Sequence, residues 1–293
     1  MAGLDAACGS GYVSLELLYP PYSRNGNSMF RRTLAIVTAL TTLPAQAGTL
    51  CNLVTDAKTS AVLEQTGDCT TRVTPASTFK LAISLMGFDA GYLHDAHTPL
   101  LNYQPGDPDW GGANWLQPTD PARWIKYSVV WYSQRITHAL GAAKVGHYTR
   151  AFRYGNADLS GDPGKANGLD RAWIGSSLKI SPVEQAAFLQ RLVNRTLPVS
   201  RHAMDMTARL ALIDERPDGW EIHGKTGMAY PRDANGVSDE AHGYGWFVGW
   251  GMKAGRTVVF VRLVQDEQAG GVSAGLRARG EVLRDWPTIT THP

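Results

Sequence analysis

The chain has 293 residues, with 28 Lys+Arg against 26 Asp+Glu and a formal net charge of +2. So even a balance gives no electrostatic case for nucleic acid as a partner. At 43% hydrophobic and 18% charged residues the chain can bury a core, and no apolar run reaches the roughly 18 residues of a spanning helix, which argues against an integral protein or a stable membrane anchor.

Residues 29–47 read MFRRTLAIVTALTTLPAQA. Met29, Arg31 and Arg32 open the segment, an apolar stretch runs from Thr33 to Leu43, and Ala45-Gln46-Ala47 follows as a small-x-small cleavage pattern. That order is the layout of a secretory signal peptide. It predicts a leader over 1–47 and an exported, periplasmic domain over 48–293, with either Met1 or Met29 as the start.

Export changes how the cysteines read. Cys8 lies in the leader, which leaves Cys51 and Cys69 as an even pair in an oxidising compartment. Leu50–Val54 and Ala61–Glu64 are strand-like, with Asp56-Ala57-Lys58 near a turn. A hairpin would set the two cysteines opposite each other, so a disulfide is favoured over two unpaired core residues. No Cys-x-x-Cys or His-Glu-x-x-His occurs, and no metal is expected.

Thr74-Pro75 then breaks the chain, and Ala76–Phe88 reads as a helix. Residues 91–123 are rich in Gly, Pro, Asn, Asp and Trp and read as loops; 129–153 looks helical; 155–170 is a long polar loop. Ser181-Pro182-Val183-Glu184 opens a helix that runs to Val193, with Pro at its first position and an acid in its first turn. The character changes near residue 210. Trp220–Ala229, Tyr244–Trp250 and Thr257–Val264 are strand-like, and Ala274–Leu283 reads as a closing helix. The expected architecture is α/β of the α+β type. Strands from 48–75 and 209–293 join in one antiparallel sheet, and a helical subdomain of about 76–208 is inserted between them.

Ser77-Thr78-Phe79-Lys80 is Ser-x-x-Lys. On a helix, residues three apart share a face, so Lys80 can reach the Ser77 hydroxyl and, when neutral, take its proton. Ser176-Ser177-Leu178-Lys179 matches the same short pattern. Two further elements separate them. Lys225-Thr226-Gly227 lies in a predicted strand, where lysine and hydroxyl can hold a carboxylate. Ser128-Val129-Val130 precedes a helix and supplies another hydroxyl. The order Ser77, Ser128, Lys225 matches the penicillin-recognising serine enzymes. The rival has Ser181-Pro182-Val183 only five residues on, too close for a separate cleft wall, so Lys179 reads as an exposed or capping charge. Gly271-Val272-Ser273-Ala274-Gly275 fits Gly-x-Ser-x-Gly, but the acid and histidine of a triad would have to come from Glu281, Asp285 and His292, with no strands left to carry them. It reads as a strand-to-helix turn. His223, two residues before Lys225, is either a cleft residue or an ordinary strand histidine.

With Tyr154-Gly155-Asn156 and Trp173-Ile174 before Leu178-Lys179-Ile180-Ser181, the segment 48–293 resembles the class D serine β-lactamases, the oxacillinases. The resemblance implies a serine β-lactamase/penicillin-binding transpeptidase-like fold. It implies a covalent acyl-enzyme on Ser77 and an oxyanion hole from the backbone N–H groups of Ser77 and Met228. Lys80 would be carboxylated by carbon dioxide (an N6-carboxylysine), the only cofactor-like requirement, and would act as general base in acylation and deacylation. Ser128 would relay a proton to the leaving nitrogen. Lys225, Thr226, Gly227 and Val130 would contact substrate, joined by Arg277 or its close rival Arg279. Carboxylation needs a neutral amine, so the site must lower a lysine pKa of ~10.4 by burial. Phe79, Val130 and Trp173 suit such walls, and the Trp173 indole N–H can donate to a carbamate oxygen. Tyr154-Gly155-Asn156 is either catalytic or a structural turn. Ala172 stands where the family often carries an aromatic, which implies a looser pocket. Substrate range is expected to depend on loops around 102–120 and 229–242. The expected partners are small β-lactams, for a monomer or homodimer. A non-hydrolysing β-lactam sensor, a D,D-peptidase and a secreted binding module are the alternatives.

Overall fold

The computed structural model describes residues 48–233 and 235–291. The leader expected over 1–47 lies outside them. Five strands, β1 (Gly48–Asp56), β2 (Val62–Gly67), β3 (Glu221–Ala229), β4 (Tyr244–Lys253) and β5 (Arg256–Gln265), form one sheet in the order β2-β1-β5-β4-β3. Every neighbouring pair is antiparallel. β1 lies beside β5, with Leu53 opposite Val261, so the two ends of the domain close the sheet as expected.

The period of two on β5 explains the layering. Val259, Val261 and Leu263 join one core with Trp246, Val248 and Trp250 of β4; Val258 and Phe260 join a second with Phe247. The second core lies under α8 (Ala274–Ile289), which contributes Ala278, Val282 and Trp286. Arg262 points to the same side and is held by Asn52, Glu281 at 3.0 Å and Asp285 at 3.2 Å.

The first core is shared with the helices inserted between β2 and β3. These are α1 (Lys80–Asp89), α2 (Pro121–Tyr127), α3 (Val130–Leu140), α4 (Ala142–Ala151), α5 (Gly168–Arg171), α6 (Pro182–Val193) and α7 (Arg201–Ala211). α1 is buried from Lys80 through Phe88 and is the axis of this layer. α6 starts with a full capping box, Ser181 and Glu184 exchanging bonds, which explains its legibility. α2 and α5 each begin within the end of a segment read as loop, 91–123 and 155–170. α2 has a regular start, with Asp120 accepting from the Arg123 N–H and Pro121 at its first position, but its seven residues sit among Gly and Pro. Cys51 and Cys69 form a disulfide that fastens the edge hairpin β1–β2. No described helix is long and apolar enough to cross a membrane.

Candidate active site

A tight 3-10 turn, Ala76–Phe79, feeds directly into α1. Ala76 holds φ +50°, a left-handed conformation that costs an alanine about 1–3 kcal/mol. The turn over-determines it. The Thr78 hydroxyl donates to the Pro75 carbonyl at 2.7 Å and accepts from the Gln185 amide at 2.7 Å. Ser77 is thereby presented at the mouth of a cleft of about 690 Å³, which Ser128, Val130, Thr226, Gly227 and Met228 also line. The expected residues from α1, the α2–α3 junction and β3 converge on that cleft.

Lys80 is fully buried, and its Nζ lies 3.1 Å from Ser77 Oγ. Burial, with the nearby Lys225 ammonium adding to it, holds its pKa well below the ordinary lysine value. No carboxylate pairs with it among the described residues. The Trp173 indole Nε1 and the Ser128 hydroxyl are among the buried polar atoms of the described residues that stand without partners. Ser128 caps α2 in a left-handed conformation at φ +59°, which turns the chain into α3. Trp173 packs 5.7 Å from Phe79, the residue before Lys80, and its carbonyl accepts from Thr74 Oγ1 at 3.0 Å. A buried neutral amine and unsatisfied N–H and O–H groups are what a carboxylated lysine would need, so these residues fit that group.

Lys225 is 4% exposed on β3, and its Nζ donates to the Thr226 carbonyl at 3.0 Å. Burial, and after it Arg279, pushes its pKa down to about 7. Gly227 has a packing reason for lacking a side chain. A Cβ there would sit 2.9 Å from the Pro75 carbonyl oxygen, so glycine lets β3 close on the Ser77 turn.

The structure places the two arginines of α8 in different surroundings. Arg277 is turned away, ion-paired to the buried Asp266 and bonded to the Val272 carbonyl. Arg279 lines a cavity with Lys225 and Thr226 and pairs with Glu215 at 2.6 Å. Two residues on a helix span about 200°, so the two arginines face different sides.

Tyr154-Gly155-Asn156 makes a set of packing and backbone contacts. Tyr154 is buried against Phe79 and Phe188. Gly155 has φ +56°, and a Cβ there would lie 1.9 Å from the Lys179 carbonyl oxygen. The Asn156 amide donates to the Ser177 carbonyl at 2.8 Å and its oxygen accepts from the Lys179 N–H at 2.9 Å. The turn thus fixes the segment that follows Trp173. His223 belongs to the packing too. It stacks on Trp250 at 4.8 Å and bonds the Ala208 carbonyl and Glu221. Lys179 is exposed, and Ser273 caps α8, as expected of both. Ala172 is fully buried and does not line the cleft, so its small side chain is absorbed by the core rather than widening the opening.

Sequence reasoning missed Thr74, Thr78 and Gln185, which tie the nucleophile turn to its surroundings across 99 to 107 residues. Only the Thr74-Pro75 break hinted at any of them. The two loop segments expected to matter do reach the cleft, through Trp110 and Trp115 on one side and Tyr230, Arg232 and Ser238 on the other. Arg232 is pinned to Asp162 at 2.7 Å.

Residues 50–287 match the family described as penicillin binding protein transpeptidase domain. The chain is 41% identical over 239 residues to Beta-lactamase OXA-9 of Klebsiella pneumoniae, covering 82% of this chain and 87% of that one. It is 35% identical over 236 residues to Beta-lactamase OXA-1 of Escherichia coli, covering 80% and 82%. The crystal structure of the class D β-lactamase OXA-427 superposes with a TM-score of 0.77 at 47% identity, covering 81% of this chain and 97% of that one. With this fold, this order of motifs and these relatives, the chain belongs to the class D β-lactamases within the penicillin-binding transpeptidase family.

Proposed function

We propose that this cleft hydrolyses β-lactam antibiotics through an acyl-enzyme on Ser77 and so confers resistance to them. The observation that carries the reading is Lys80, buried without a carboxylate partner and 3.1 Å from Ser77 Oγ. A lysine kept neutral there serves proton transfer; a charged one could not.

The Ser77 oxygen attacks the lactam carbonyl carbon and the ring C–N bond breaks. The backbone N–H groups of Ser77 and Met228 stabilise the negative charge on the carbonyl oxygen. Ser128 delivers a proton to the departing nitrogen, a role its unpartnered hydroxyl supports. Lys225 and Thr226 hold the substrate carboxylate with Arg279 beside them, Gly227 keeps that wall close to Ser77, and Val130 forms the apolar side. Carboxylation of Lys80 by carbon dioxide would supply the general base that takes the Ser77 proton in acylation and a proton from the water that then releases the acyl group from Ser77, with the Trp173 indole N–H as the residue that would donate a hydrogen bond to it. Relatives that are named β-lactamases support small β-lactams as substrates, and the leader read over residues 29–47 supports an exported, periplasmic enzyme.

The test is intact mass of residues 48–293 mixed with benzylpenicillin in bicarbonate buffer. The expected result is a transient adduct on Ser77 with the drug consumed, and none in Ser77→Ala. A lasting adduct without consumption would identify a sensor or penicillin-binding protein instead. No adduct and no consumption would refute the assignment of the nucleophile.

A further inference from the structure

The cleft that holds Ser77 continues past Thr226 into a second cavity of about 500 Å³, within the size range of small-molecule sites. Lys126, Tyr127, Thr226 and Leu276 line both, so the two spaces are continuous. Four cations from four elements face this annex: Lys126 of α2, Arg209 of α7, Lys225 of β3 and Arg279 of α8. Arg279 has Glu215 as partner. Among the described residues no ion pair engages the other three. Asp214 is the single acid in the lining, and His97, also there, is paired with Asp120 at 2.8 Å.

A concave wall with that excess of positive charge attracts anions. The carboxylate common to β-lactams satisfies Lys225 at the border, but it leaves Lys126 and Arg209 without a counter-charge. In a cephalosporin the carbon beside the carboxylate-bearing one carries the C3 substituent. A substrate with its carboxylate at Lys225 and Thr226 therefore carries that substituent close to the border between the two spaces. We propose that the annex is a specificity subsite in which Lys126 and Arg209 receive an anionic C3 substituent, a carboxylate or sulfonate, and disfavour a cationic one. This rests on the β-lactamase reading of the cleft.

The test uses cephalosporins with one acylamino side chain and three C3 groups that do not depart on ring opening: carboxylate-bearing, methyl and quaternary ammonium. The ratio of kcat/KM for the anionic to the cationic compound is compared between the enzyme and Lys126→Gln/Arg209→Gln. Loss of two charges at the solvent-facing wall of the annex should lower the ratio about tenfold, and raising NaCl to about 0.5 M should shrink it in the unaltered enzyme. Benzylpenicillin, which has no such substituent, is the reference, and Arg209→Gln, whose residue lines the annex alone, should leave its hydrolysis unchanged. Lys126→Glu, a single change at an exposed position, should lower the ratio as well. An unchanged ratio overturns the proposal. So does an equal loss on every compound including benzylpenicillin, because the two cations would then act on the common carboxylate. If the unaltered enzyme leaves benzylpenicillin intact, the assignment of the cleft itself has failed, and that outcome is visible before any ratio is taken.

Discussion

Trp173→Phe isolates one hydrogen bond in the proposed mechanism. The indole Nε1 is buried and unpartnered, and the ring is 1% exposed against Phe79. A phenyl ring keeps much of that packing and removes the N–H. A hydrogen bond to a charged group contributes about 1.5–3 kcal/mol. At about 1.4 kcal/mol per factor of ten, the variant should need roughly 10- to 150-fold more bicarbonate for half-maximal turnover of benzylpenicillin. The space left by the smaller ring should cost on the order of 1–2 kcal/mol of stability, so a thermal melt run in parallel separates unfolding from lost affinity. The assay is turnover against bicarbonate concentration, paired with carbon-13 NMR of enzyme in labelled bicarbonate to observe the carbamate carbon. Trp173→Ala should slow deacylation further, at a larger cost in stability. An unchanged bicarbonate requirement and an unchanged carbamate signal in Trp173→Phe would show that the indole N–H does not serve Lys80.

Other expectations follow from the same geometry. Lys225 is pushed down to about 7 against an ordinary 10.5, so kcat/KM for a carboxylate substrate should fall as pH rises through about 7; Lys225→Arg, which stays charged, should flatten that limb in a pH profile. The sign for stability is the opposite. Between about 7 and 10.5 the unfolded lysine holds a proton that the folded one has released, so Lys225 favours folding increasingly with pH, measurable by urea titration. Gly155→Ala meets both a φ of +56° and the Lys179 carbonyl, and should lower stability by roughly 2–4 kcal/mol with melting tracked by circular dichroism; a wild-type melt would show that the turn yields freely. Replacing both Cys51 and Cys69 by serine releases a closure with a sequence separation of 18, worth about 3 kcal/mol in the chain-entropy model. The urea midpoint should drop by about 1 M while activity well below the transition persists, because the hairpin sits at the opposite edge of the sheet from β3.

The nucleophile was legible because its chemistry is local. Ser77 and Lys80 lie three apart on a turn and helix, and helical geometry alone brings them within 3.1 Å. The sheet was legible for a related reason, since period-two strands at both ends of the domain have no other way to bury their faces. The helix α6 announced itself through Ser181 and Glu184, whereas α7 did not. Its buried face, Ala203, Met204, Thr207 and Ala211, is well separated from its charged face, but these small or polar side chains leave the helix with little apolar content overall. The tertiary structure decided the contacts that join distant segments. Arg277 and Arg279 are equivalent in the sequence until the phase of α8 sends one to Asp266 and the other toward Lys225. That Asn156 of Tyr154-Gly155-Asn156 grips the backbone at Ser177 and Lys179 is likewise visible only in the folded chain. The same holds for the low pKa values of Lys80 and Lys225, which come first from burial, and burial is a property of the packed assembly rather than of any short run of residues.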